Sequence, residues 1–203
     1  MNTEITVHPK LQHYGLTTAN LNNMTDWYQK VLGMTINHRA QIPARAEQRP
    51  PFSAFGFVSN DELDHRIVFF EVPEAKVDPD RRHHTGLQHV AFSCTTIDDL
   101  LGTYVRLKNL GILPLWAADH GVGMSLYYED PDRNRVEINA SNYGDAWTAT
   151  EHLKVSRGMM MAHVDPEKMV AARKAGASTW ELHERAVRGE FAPEEPYNPG
   201  ANW

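Results

Sequence analysis

Two matching tripeptides carry the first readable chemistry in this chain. Leu11-Gln12-His13 and Leu87-Gln88-His89 set two histidines 76 positions apart (13 to 89), each heading a stretch that mixes alternation with β-forming residues. A lone histidine on a strand is more often a satisfied core or surface group than a ligand. Two at corresponding places in duplicated segments ask for more, because equivalent positions converge when duplicated modules pack about a pseudo-twofold axis. Two imidazoles there would make half of a metal site, and a third ligand would come from a neighbouring strand. Glu137, within Arg135-Val136-Glu137-Ile138, is a carboxylate between apolar residues, costly to bury without a compensating cation. Spacing alone also allows a solvent-facing glutamate alternating with Val136 and Ile138.

The elements that must position these residues repeat as well. Each histidine segment runs into Thr/Asn/Asp-rich punctuation and then a helix, about Met24 to Leu32 in the first copy and Ile97 to Leu110 in the second, stopped at Gly33 and Gly111. Three strand-like stretches follow each helix. They are Thr35–Arg39, Ser53–Ser59 and Arg66–Val72, then Leu113–Ala117, Gly123–Glu129 and Arg135–Asn139. Both copies therefore read βαβββ, with a charged, proline-containing linker from Val72 to Gly86. Beyond Asn139 the pattern becomes helical. Asp165-Pro166 opens a helix that stops at Gly176, and the capping box Ser178-Thr179-Trp180-Glu181 opens another that stops at Gly189. Phe191 to Trp203, rich in proline and acid, is expected to lie extended on the surface. The expected fold is α+β: two βαβββ modules (about 8–72 and 87–142, within 1–145) forming a curved mixed sheet around a metal site. A helical extension over 146–203 serves as a lid or a subunit contact, and a homo-oligomer is expected.

Composition excludes several other classes. With 203 residues, 41% of them hydrophobic and 23% charged, the chain is an ordinary globular one. A net charge of −6 with interspersed signs offers no basic stripe to a phosphate backbone, so nucleic acid is not an expected partner. No apolar run approaches bilayer length, and the polar start Met1-Asn2-Thr3-Glu4 lacks signal-peptide order, so neither membrane nor export is expected. The one cysteine, Cys94, suits a reducing cytoplasm that keeps an oxidisable metal divalent.

Taken together, these residues resemble the vicinal-oxygen-chelate superfamily of βαβββ proteins over about residues 8 to 142. Within it they are most similar to the short type I extradiol dioxygenases related to 2,3-dihydroxybiphenyl 1,2-dioxygenase. The resemblance implies a catechol ring opened with dioxygen at a non-haem iron(II), or manganese(II), held by His13, His89 and Glu137. Two neutral imidazoles and one carboxylate leave such an ion with open positions for its substrates. It also implies roles for three further residues. His65, in Asp64-His65-Arg66-Ile67-Val68-Phe69, matches the acid/base histidine at the head of the last strand of the first module. Tyr127, ten positions before Glu137 (127 to 137), matches a tyrosine that hydrogen-bonds bound oxygen, and His120 matches a histidine in the loop before the tyrosine strand. Phe55, Phe57, Phe69 and Trp116 could line an apolar pocket or simply be core.

Two other readings belong to the same superfamily. Glyoxalases bind nickel or zinc through four ligands, the fourth being a glutamate on the last strand of the first module, where this chain has Glu71. Drug-sequestering proteins of the fold use no metal and would leave the His/His/Glu set without a task.

Overall fold

The computed structural model describes residues 6–43, 50–156, 161–195 and 198 of the chain. They form two compact units that divide between Asp78 and Pro79, inside the stretch read as a linker.

The first unit contains β1 (Tyr14–Thr18), α1 (Leu21–Leu32), β2 (Thr35–Gln41), β3 (Ala54–Ser59) and β4 (Ile67–Glu71). Its sheet order is β1-β4-β3-β2, with β1 parallel to β4 and the other pairs antiparallel. The helix starts three residues earlier than expected because the Asn20 side chain caps it, accepting from the Asn23 amide, and it ends at Gly33 in a left-handed conformation. Alternation then sorts the strand residues. Ile67, Phe69, Ala54 and Val58 are buried beneath the helix that carries Leu21, Met24 and Tyr28, with the Tyr28 and Phe69 ring centroids 5.2 Å apart. Phe69 is thus a core residue on the helix side of the sheet and lines no pocket. Phe55, Phe57 and Phe70 alternate onto the opposite face, where Phe52 and His38 join them in a continuous aromatic layer.

The second unit repeats the plan with β5 (His89–Ser93), α2 (Ile97–Asn109), β6 (Trp116–Asp119), β7 (Gly123–Glu129) and β8 (Arg135–Ser141). Its order is β5-β8-β7-β6, again with the first pair parallel. Leu100, Leu101, Tyr104 and Leu107 of α2 are buried, as are Leu126, Tyr128, Val136, Ile138 and Ala140 on the alternate strand positions. This leaves the other face free to carry polar groups.

The helical extension packs on this second unit. α3 (Ala146–Val155), which the sequence did not reveal, has no buried residue. β9 (Ala162–His163), also unforeseen, pairs antiparallel with β6 and becomes the sheet's fifth strand. α4 (Pro166–Lys174) and α5 (Thr179–Val187) carry the expected proline start and capping box. Glu167 of α4 accepts from Tyr104 Oη at 2.6 Å and pairs with Lys108, and Arg173 forks onto Asp98, so α4 is tied to α2. The expected surface tail is corrected at its first residue. Phe191 is buried beneath the Arg185 guanidinium, 4.7 Å from its ring centroid, and its carbonyl accepts from the Asp165 amide. Residues 196, 197 and 199–203 of that stretch lie outside the described residues. No helix among the described residues is long and apolar enough to cross a membrane.

The two-faced first sheet makes a testable contrast. Phe69→Ala is expected to destabilise the protein by about 3–5 kcal/mol through the cavity left beneath α1. Phe57→Ala, on the half-exposed face, should lower the denaturant midpoint distinctly less.

Candidate active site

Strand register brings the polar residues of the second unit into one row. Ala91, Glu137, Tyr127 and Trp116 are successive cross-strand partners on β5, β8, β7 and β6, so their side chains share a face. His89 lies two positions before Ala91 on that face, and its Nε2 stands 3.0 Å from Glu137 Oε2. The other Glu137 oxygen accepts from Ser125 Oγ at 2.7 Å and Asn139 Nδ2 at 3.2 Å, which turns Oε2 towards the histidine. The His89 ring is oriented from its far side, where Nδ1 bonds Gln88 Oε1. An amide oxygen only accepts, so Nδ1 carries the proton and a neutral ring presents a bare lone pair at Nε2. Two acceptors at this separation require a proton or a cation between them. The spacing suits a metal: two ligand atoms each about 2.1 Å from one ion and at right angles lie about 3.0 Å apart.

The first unit presents the matching histidine in the same way. His13 directly precedes β1 rather than lying on it, as the register of Tyr14 with Ile67 shows. Its Nδ1 bonds Gln12 Oε1. The Gln12 amide is held in that orientation because its NH₂ donates to Asp64 Oδ1 at 3.0 Å and to the His65 carbonyl at 3.4 Å. His13 Nε2 is again the bare nitrogen. The glutamine before each histidine therefore sets the tautomer that a metal needs.

Register also counts the carboxylates. Gly15 pairs with Val68 in the first sheet as Ala91 pairs with Glu137 in the second, so the position equivalent to Glu137 holds a valine. Glu71, the residue a four-ligand site would use, lies on the opposite face of β4 from Val68. It accepts from the Leu21 amide at the start of α1 and from Ser53 Oγ, each at 3.0 Å. There it serves as an anionic cap for the helix.

His65 stands beside His13, with ring centroids 4.3 Å apart, and stacks on Phe57 at 4.3 Å with an interplanar angle of 12°. Its Nδ1 bonds Asp64 Oδ2 at 2.5 Å, and this bond holds the Asp64 carboxyl below the usual range. His65 Nε2 is thus available for proton transfer. In the second unit, Tyr127 Oη bonds His120 Nε2 at 3.0 Å, and Trp116 stacks on Tyr127 at 3.6 Å. Burial pushes the His120 imidazole below its ordinary value, against the opposing pull of the Glu137 and Asp119 carboxylates.

The structure thus brings together His89 with Glu137, Tyr127 with His120, and His13 with His65. Among the described residues no group of three or more His, Cys, Asp or Glu side chains is placed to hold a metal ion. Sequence reasoning missed Ser125, Asn139 and His163. The first two were detectable as polar residues at period two from Tyr127 and Glu137. His163, on β9, reaches the polar face with its ring centroid 5.7 Å from that of Trp116, and nothing in the sequence marked that strand.

Known proteins share this architecture. Residues 10–138 match the model of the Glyoxalase/Bleomycin resistance protein/Dioxygenase superfamily, and the chain belongs to that superfamily. Two relatives from Rhodococcus globerulus extend along nearly the whole chain. Biphenyl-2,3-diol 1,2-dioxygenase 3 is 34% identical over 90% of this chain and 91% of its own length, and biphenyl-2,3-diol 1,2-dioxygenase 2 is 30% identical over 96% and 97%. Among solved structures, a glyoxylase/bleomycin resistance protein/dioxygenase domain from Frankia sp. EAN1pec shares the fold. It has a TM-score of 0.54 and 22% identity over 68% of this chain and 96% of that one. So does the fosfomycin resistance protein FosX of Listeria monocytogenes, as a mutant complexed with Mn(II), with a TM-score of 0.52 and 18% identity over 71% and 99%.

The displaced His120 titration has a measurable consequence. The unfolded residue takes a proton near its ordinary 6.5, the folded one only at lower pH. Its stabilising contribution is therefore full above that ordinary value and lost as pH falls through the folded value. In metal-free protein, His120→Asn is expected to reduce the loss of denaturation midpoint between about pH 7.5 and about pH 5.5. An unchanged difference would show that the imidazole is not held neutral.

Proposed function

We propose that this protein is an extradiol dioxygenase that opens the ring of a catechol-type aromatic with dioxygen, using a divalent metal held by His13, His89 and Glu137. The observation that carries the reading is the pair of Gln-His units, each binding its histidine through Nδ1 and leaving Nε2 on the side away from the glutamine, combined with a single carboxylate beside one of them. Two neutral nitrogens and one carboxylate are a donor set for iron(II), and manganese(II) fits it too. The relatives, named as biphenyl-2,3-diol 1,2-dioxygenases, support the substrate class. The lone free Cys94 fits a reducing cytoplasm.

When bound, the metal supplies one centre at which diol and dioxygen meet and electrons pass between them. Proton handling falls to the protein. His65, with Nδ1 committed to Asp64, can take the hydroxyl proton of the diol at Nε2 and return it as the ring opens. The stack on Phe57 restricts ring rotation, so the nitrogen keeps its aim. Tyr127, backed by Trp116 and tied to His120, supplies a fixed phenol to bond the substrate's oxygen. The aromatic layer of Phe55 and Phe57 suits the apolar body of an aromatic diol.

The test is anaerobic reconstitution with iron(II), followed by oxygen uptake with a panel of catechols. Alanine at His13, His89 or Glu137 is expected to abolish metal retention and turnover together. Full iron occupancy in any one of these variants removes that residue from the ligand set. Glu71→Gln should keep its metal, since its carboxylate serves α1. Isomerisation of a glutathione hemithioacetal by nickel-loaded protein would favour a glyoxalase instead.

His65→Gln separates catalysis from ligation. It should bind iron and catechol normally while kcat falls by about two orders of magnitude or more, the usual scale for a positioned acid/base. Wild-type turnover by the iron-loaded variant would pass the role to another residue.

A further inference from the structure

The family model ends at residue 138, yet α5, more than forty positions beyond, packs on β6 and β9 of the site-bearing sheet and turns His183 towards it. His183 is 6% exposed, beside the buried Leu182 and Ala186, and its Nδ1 lies 2.7 Å from Asp119 Oδ2. Asp119 ends β6 and is itself 1% exposed. A carboxylate so enclosed must collect donors, and it takes two more: the Gly121 amide at 2.6 Å and Asn142 Nδ2 at 3.2 Å. Asn142 Nδ2 also donates to the Gly121 carbonyl, and the Asn142 amide donates to that of Val122.

Gly121 and Val122 of the β6–β7 turn are thereby fixed from outside. His120 closes the hairpin through its amide to the Gly123 carbonyl at 2.8 Å, and Gly121 takes a left-handed φ of 80°. His120 is the first residue of this turn and adjoins Asp119. Its ring can meet the Tyr127 hydroxyl only while the turn keeps its shape.

We propose that His183 is a positioning residue for diol cleavage. By fixing Asp119 it holds the turn that sets His120 against Tyr127, and so makes α5 part of the catalytic apparatus. This rests on the dioxygenase reading above. A chain lacking the donor would leave the buried carboxylate to recruit another from the turn, displacing His120, and misplacements of about 1 Å in supporting groups can cost about a hundredfold in rate.

The test compares His183→Leu, which removes the donor, with His183→Asn, which returns an N–H near the Nδ1 position. With iron in excess, kcat for a catechol should fall about ten- to hundredfold in His183→Leu, with KM and iron content little changed, and largely recover in His183→Asn. In a His120→Gln background the same substitution should have no further effect on kcat, since the residue it acts through is gone. In metal-free protein, the His120 imidazole resonances should shift in His183→Leu and return in His183→Asn. This readout needs no turnover, so it decides whether His183 positions His120 even if no catechol is consumed and the functional reading fails. Multiplicative losses in the double variant, or unmoved His120 resonances in His183→Leu, would overturn it. If His183→Leu does not fold, His183→Gln, which displaces the donor without emptying the space, carries the same comparison.

Discussion

His89 Nε2 and Glu137 Oε2 stand 3.0 Å apart, a separation that a proton or a cation between them satisfies, and the polar face of the second sheet is arranged around that pair. Gln88 orients the histidine by binding its far nitrogen, while Ser125 and Asn139 occupy the far oxygen of Glu137. Each of these contacts denies the pair a way to relax. A proton or cation held there finds both of its acceptors already oriented by the fold.

One frame used twice yields two different surfaces. The βαβββ order, the parallel pair and its register are the same in both units, so positions on β1 and β4 correspond to those on β5 and β8. Where the second sheet places Glu137 and Tyr127, the first places Val68 and Phe57. Each unit presents one Gln-His pair, while the Glu137 carboxylate is found in the second unit and the layer of Phe55, Phe57 and Phe70 in the first.

Much of this was legible in the sequence because the signals were periodic or local. The repeat appeared as Leu-Gln-His recurring, and the helices through caps and glycine stops that chemistry enforces. Residues whose meaning depends on register were harder. Phe69 and Phe57 look alike in sequence, yet one is core and the other lies on the opposite face beside His65, because alternation assigns faces only once the pairing is known. Glu71, the residue a four-ligand site would use, accepts from the Leu21 amide at the start of α1, a contact that spacing does not show. β9 was invisible, since two residues cannot display a period, and α3 lacks the buried stripe that makes a helix readable. The Asp119–His183 contact joins residues 64 positions apart, and only tertiary packing produces it.

The short pairing of β9 with β6 also has a bearing on how the protein behaves as a solute. Ala162 and His163 pair with β6, and the Val164 amide donates to the Ala117 carbonyl, along a strand that would otherwise end the sheet. An uncovered edge is a template for pairing with another chain, and natural proteins avoid leaving one flat and open. Here the cover comes from the C-terminal extension, late in synthesis. Until those residues emerge, the nascent second unit carries an open edge at β6, and a chain shortened before β9 would keep it permanently. The extension therefore covers an edge of β6 that would otherwise be open to strand pairing.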